Sequence, residues 1–219
     1  MNKSMYSLML MDEVIEAIDK LAYLNHTNRS NMINQILAEY VSLTTPEMRM
    51  QEIFDQMVSL LKGDEALQVQ SNPNTTVLSI KSALSYKYRP TIRYAVELYR
   101  VPDGTMGELR VTFRTQSNNL LMEMTHFLNV WIQLEYHYIH HLFAQGSIQY
   151  DIAEGRFKRT FMLPVSERHQ NNETLSQTIA AYIQMFDEIL KGYLSGIYQT
   201  DSDIEERYVQ YLNSGMVII

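Results

Sequence analysis

The feature that most constrains this chain is a change of hydrophobic period close to its start. Over residues 5–10, Tyr6, Leu8 and Leu10 alternate with Met5, Ser7 and Met9, the period of two that a short strand requires. From Asp12 the period lengthens, and Val14, Ala17, Ile18, Leu21 and Ala22 recur at helical spacing behind a first turn holding Asp12 and Glu13. Asn25-His26-Thr27-Asn28 breaks this helix. A second one, capped by Asn28 or Ser30, carries Met32, Ile33, Ile36, Leu37 and Tyr40 until Thr44-Thr45-Pro46 stops it. One five-residue strand and two short helices bury too little to fold alone, so the pattern predicts a segment that folds as half of a dimer.

The remainder of the 219 residues is long enough for a second, larger unit. Pro46 suits the first position of a new helix, with Met48, Ile53, Met57, Leu60 and Leu61 on one stripe and Gly63 at its end. Beyond it the period returns to two, through Leu78-Ile80, Leu84-Tyr86-Tyr88, Ile92-Tyr94-Val96-Leu98 and Leu109-Val111-Phe113. Pro102-Asp103-Gly104 turns the last two runs into a hairpin. A long helix over residues 118–144 precedes a second hairpin, residues 148–152 and 157–163, turning at Glu154-Gly155, and helices over 171–198 and 203–213 close the chain. The predicted organisation is a 1–45 module, a 46–63 linker helix and a 64–219 α+β domain with a mainly antiparallel sheet and long helices.

A hydrophobic content of 46% with 20% charged residues suits a chain with a true core, and the absence of cysteine excludes disulfides, thiolate metal sites and cysteine nucleophiles. No apolar run has the length of a signal peptide core or a membrane span, so a cytoplasmic protein without a membrane partner is expected. The net charge of -7 works against nucleic-acid binding in bulk, which makes the placement of each cation matter.

The run Tyr6-Ser7-Leu8-Met9-Leu10-Met11-Asp12-Glu13-Val14-Ile15-Glu16-Ala17-Ile18-Asp19-Lys20-Leu21-Ala22 resembles the ribbon-helix-helix family of Arc- and CopG-like regulators. The likeness continues through Arg29-Ser30-Asn31-Met32-Ile33-Asn34-Gln35-Ile36-Leu37-Ala38-Glu39-Tyr40-Val41 and covers residues 5–42. It implies that two chains pair their strands with Tyr6, Leu8 and Leu10 in the shared core. Met5, Ser7 and Met9 then face the major groove of double-stranded DNA, with Lys3 nearby, while Thr27, Asn28, Arg29, Ser30 and Asn31 at the second helix's N-terminus meet phosphate. This chain departs from the family at Met5 and Met9, where polar or basic residues usually read bases; methionine offers only contact with a thymine methyl. The module also holds three cations against five acids, most of the acids on the first helix.

In the larger unit, residues 81–114 hold seven cations against three acids. Arg89, Arg93, Arg110 and Arg114 outline a candidate anion site, and the same pattern equally describes a solvated outer sheet face. On the long helix Glu135 falls within the stripe of Leu120, Leu121, Met124, Leu128, Trp131, Tyr138, Ile139 and Leu142. A carboxylate there needs an arginine, a tyrosine hydroxyl or a bound ligand. His137 and His141 have a metal-compatible spacing but no third ligand in the sequence nearby, so no metal is assigned, and no catalytic signature or cofactor motif stands out. The expectation is a homodimeric or higher-order DNA-binding regulator, a repressor that controls its own gene, whose C-terminal domain senses a small anionic effector or joins dimers. The alternative is a non-DNA-binding dimeric scaffold whose C-terminal domain holds a protein or nucleotide partner.

Overall fold

A computed structural model describes residues 5–70, 76–84, 90–143 and 148–219. Three helices come first: α1 (Asp12–Leu24), α2 (Arg29–Tyr40) and α3 (Pro46–Leu61). There follow β1 (Leu67–Gln70), β2 (Val77–Ala83), β3 (Thr91–Asp103), β4 (Thr105–Phe113), α4 (Asn118–Tyr138), β5 (Tyr150–Ala153), β6 (Arg156–Met162), α5 (Asn172–Leu194) and α6 (Asp201–Asn213). The six strands form one antiparallel sheet in the order β1-β2-β3-β4-β6-β5, and the chain is thus an α+β protein with a mainly antiparallel sheet.

Local chemistry explains most boundaries. Thr45 caps α3 by accepting from the Met48 amide, with Pro46 in the first turn; Ser117 and Asn171 do the same for α4 and α5. At α6 the Thr200 and Asp203 side chains bond each other's backbone N–H, a reciprocal cap that starts the helix two residues before its apolar pattern does. Gly104 sits at φ 71° in the tight β3–β4 turn, a conformation that costs other residues more.

Alternation then divides the sheet into two faces. Leu78, Ile80, Ile92, Tyr94, Val96, Leu98, Leu109, Val111, Phe157 and Phe161 point into a core roofed by α3, α4 and α5. Trp131 lies at its centre with edge-to-face contacts to Phe186 at 4.9 Å and Tyr208 at 5.2 Å. The other face carries Lys81, Arg93, Glu97, Glu108, Arg110, Thr112, Arg156 and Lys158.

Several expectations need correction. Residues 5–11 precede α1 without regular secondary structure, so the expected strand at the N-terminus is not formed in the single chain: none of the six strands takes residues 5–9 as a neighbour, and a strand exists only through a partner. Helix α3, expected as a linker, lays Met50, Ile53, Phe54, Met57 and Leu61 into the principal core. Helix α4 stops at Tyr138, where a 3₁₀ turn over His140–Leu142 takes over. Strand β1 had no sequence signal beyond Leu67 and Val69, and Tyr86 and Tyr88 of the expected Leu84-Tyr86-Tyr88 run lie outside the described residues.

One packing constraint is directly testable. A Cβ on Gly107 would stand 2.2 Å from the backbone oxygen of Glu97, where the β4 register shifts, whereas Gly63 has open space around it. Gly107→Ala is expected to cost about 1–3 kcal/mol by forcing β3 and β4 apart. Gly63→Ala is the control. Equal denaturation midpoints for the two variants would contradict this account.

Candidate functional site

The N-terminal helices leave their apolar side uncovered. Only Ile18, Ala22 and Ala38 among the residues of α1 and α2 are buried, because the two helices pack chiefly on each other. Among the described residues, fifteen of the twenty-two exposed large apolar side chains fall within residues 5–43. Before α1 every residue from Met5 to Met11 is exposed, with Met5 at 100%, Tyr6 at 84%, Leu8 at 62%, Met9 at 102% and Leu10 at 38%, so the expected inward and outward positions are not separated in the single chain. At Met11 the backbone is extended, with φ -65° and ψ 146°.

The start of α2 is capped by a side chain. Asn28 caps it by accepting from the Asn31 amide at 2.9 Å, leaving the first-turn amides of Arg29 and Ser30 without an intrahelical acceptor. Thr27 precedes the cap and is half-buried, whereas Arg29, Ser30 and the Asn28 side chain stand at the surface. Arg29 is not a free cation: its guanidinium forks onto Asp19 of α1, Nε to Oδ1 at 2.7 Å and Nη2 to Oδ2 at 2.5 Å. That hydrogen bond, with the attendant charge, holds the Asp19 carboxyl below its usual value. Lys3 lies outside the described residues.

On the outer sheet face the expected arginine cluster divides. Arg110 is held by two carboxylates, Glu97 and Glu108, and Lys158 reaches Glu108 at 3.6 Å. Burial by itself would raise the Glu108 carboxyl, but Arg110 and then Lys158 outweigh it and hold it below its ordinary value. Arg110 therefore belongs to a self-neutralised cluster and leaves the candidate anion site. One row along, register places Lys81, Arg93, Thr112 and Arg156 side by side on β2, β3, β4 and β6. Arg114 follows on the parity of Thr112. Among the described residues none of these five side chains has a hydrogen-bond or ion-pair partner. Arg89 lies outside the described residues. Lys81 and Arg156 were missed as members because only strand register, which single-strand alternation cannot supply, brings them beside Arg93.

Glu135 is fully buried and its partners are internal. Arg159 donates through Nε to Oε2 at 2.8 Å, and the hydroxyls of Tyr150 and Tyr182 each donate at 2.7 Å. The remaining guanidinium group bonds the Thr160 carbonyl oxygen and, at 2.5 Å, the backbone oxygen of Ile219. Burial and then the Glu135 charge push the Tyr150 hydroxyl well above its ordinary value. With both carboxylate oxygens occupied, Glu135 has the contacts of a structural residue, not those of an open ligand site.

His137 sits in the last turn of α4 and His141 in the 3₁₀ turn, so the helical four-residue relation between them is broken. His126 pairs with Asp201 at 2.8 Å. Among the described residues no three of His, Cys, Asp and Glu gather as a metal site. The large open cleft beside α2 and α3 is lined by Glu39, Glu47, Glu52, Asp55 and Glu173 with Arg100, an environment that repels anions. Comparison of the chain with family models, with curated proteins and with solved structures found no match.

The polar core cluster yields a stability prediction. Glu135→Gln leaves the Arg159 charge buried without a counter-charge and is expected to cost about 3–5 kcal/mol. Replacing both, as Glu135→Leu with Arg159→Met, should cost distinctly less, because the uncompensated charge is gone. Chemical denaturation of the three proteins checks this, and a double variant as damaged as the sum of the single ones would contradict it.

Proposed function

We propose that this chain is a DNA-binding transcriptional regulator of the ribbon-helix-helix kind, acting as a homodimer. The observation that carries the reading is the uncovered apolar side of residues 5–43, behind residues 5–10, which pair with none of the six strands. A second copy supplies both missing elements at once: pairing residues 5–11 of two chains makes an antiparallel ribbon, and Tyr6, Leu8 and Leu10 close over the helices. Hydrophobic burial drives that association, while the ribbon leaves Met5, Ser7 and Met9 on its far side, where the major groove admits a two-stranded ribbon.

The phosphate contacts follow from the α2 terminus. Free amides at Arg29 and Ser30, the helix dipole and the hydroxyls of Thr27 and Ser30 suit a backbone phosphate. The Arg29–Asp19 pair is half-exposed and solvent weakens it, so the guanidinium is available to a stronger acceptor. Repression follows if the operator overlaps a promoter, and the C-terminal body serves as a sensor or as a spacer that joins dimers.

Two measurements test the reading. Sedimentation of the 1–45 segment should give a dimer, with Leu8→Ala weakening it by about 2 kcal/mol or more, roughly thirtyfold in dissociation constant. A folded monomer at low concentration removes the ribbon-helix-helix assignment. In mobility-shift assays on the DNA upstream of the protein's own gene, Arg29→Ala should reduce the salt slope by about one per chain and weaken operator and random DNA alike. Asp19→Asn should strengthen both, since it frees the guanidinium and removes a charge that repels phosphate. A dimer that binds no DNA at any salt concentration would instead leave the scaffold reading, for which the two outward methionines speak.

A further inference from the structure

The unpaired cations on the outer sheet face have an arrangement that neither composition nor alternation announces. Thr112 on β4 has Arg93 directly opposite it on β3 and Arg156 directly opposite it on β6. Strands lie about 4.8 Å apart, so the two arginines flank the hydroxyl at close to 10 Å from each other. Long stems let both guanidinium groups lean over the residue between them. Arg114, one residue past the end of β4, follows two residues after Thr112, and Lys81 stands beside Arg93. All three arginines are exposed, and Thr112 and Lys81 are half-buried.

We propose that Thr112, Arg93, Arg114 and Arg156, with Lys81 at the margin, form a site for a compact ligand bearing several phosphate charges. Planar guanidinium forks match phosphate oxygens two at a time, and a hydroxyl between them both donates and accepts. Holding three arginines together without a counter-ion costs electrostatic energy, which a multiply charged anion returns. The neighbouring row neutralises its own cations through Glu97 and Glu108, so this row alone is left with a surplus.

The surroundings favour a small ligand over a nucleic-acid backbone. Glu97 and Glu108 bound the site toward one end of the sheet, and Asp151 and Glu154 border it beyond Arg156. A duplex laid along the face would cross those acids, whereas a di- or triphosphate spans the row and stops short of them. The row also lies about 23 Å along β3 from Arg100, where Glu47 at the start of α3 joins the sheet to the N-terminal module. The inference does not depend on the DNA-binding reading, and its primary readout contains no DNA.

Calorimetric titration of the full chain with inorganic triphosphate at low salt tests it. The unaltered chain is expected to bind, the Arg93→Gln/Arg156→Gln variant to bind at least about tenfold more weakly, and Arg168→Gln, in a distant exposed turn, to bind unchanged. Arg93→Lys and Arg156→Lys singly keep the charge but lose the fork, and intermediate weakening is expected even if the double variant fails to fold. Absence of triphosphate binding by the unaltered chain, or equal affinity in these variants, overturns the proposal. So does a random DNA duplex whose salt slope falls by about two per chain in the double glutamine variant while triphosphate gives no heat, which would assign the row to a DNA backbone.

Discussion

Arg159 points into a core that is otherwise apolar, and the arrangement of the whole α+β body follows from what that side chain must find there. Its guanidinium meets Glu135 of α4, whose carboxylate also takes the hydroxyls of Tyr150 on β5 and Tyr182 on α5. Trp131 donates to the Tyr182 oxygen at 2.9 Å, extending the cluster back into α4. Apolar residues of equal volume could stabilise the body as well, since desolvating two charges consumes most of their attraction. They would not fix its register. Sliding β6 by one residue would bring Lys158 inward and expel Arg159, leaving Glu135 buried without a partner. The buried pair therefore also sets the exterior, because with Arg159 inside, Arg156 and Lys158 must stand outside, opposite Thr112 and Arg110.

This dependence explains what the amino-acid sequence reveals and what it conceals. Period and capping residues mark the helices and the two hairpins, since both signals are local: Asn28, Thr45 and Asn171 each cap the helix that follows them. Glu135 is conspicuous as a carboxylate on an apolar stripe, and the need for an arginine or tyrosine partner follows from desolvation alone. Which arginine it meets does not. Arg159 shares the parity of Phe157 and Phe161 on β6 while Arg156 and Lys158 take the opposite face, but only the folded sheet brings it within reach of Glu135 on α4. The anion site was misdrawn for the same reason. Arg93 and Arg110 are both outward on adjacent strands, yet one is claimed by Glu97 and Glu108 and the other is not, a distinction that depends on partners across the sheet. Strand β1 is short, and its two apolar positions, Leu67 and Val69, are too few to signal a strand.

The N-terminal segment poses the opposite problem. Its sequence pattern implies a ribbon made by two chains, whereas in the single chain residues 5–11 form no strand and leave Leu8 and Leu10 exposed. Helix α2 turns into α3 through residues 41–45, where Ser42 adopts φ 55°, and α3 is anchored in the core by five side chains. Helices α1 and α2 pack chiefly on each other, and the chain continues from α2 directly into the core helix α3.

Charge placement reconciles a net of -7 with a DNA-binding reading. What a duplex senses is the potential of the surface that approaches it, falling off over roughly 10 Å at moderate salt. In the family's geometry that surface is the ribbon and the N-terminus of α2, whereas Asp12, Glu13 and Glu16 line the first helix, set back from the groove. The one acid close to the contact, Asp19, is engaged by Arg29 and so contributes less repulsion than a free carboxylate. The acids of the cleft beside α2 and α3 make that cleft hostile to phosphate. In the proposed regulator they would disfavour nonspecific phosphate contact at the cleft alone, since the outer sheet face carries its own row of cations. In that reading a methionine-lined ribbon would discriminate among sequences through shape and thymine methyl contacts more than through bidentate hydrogen bonds.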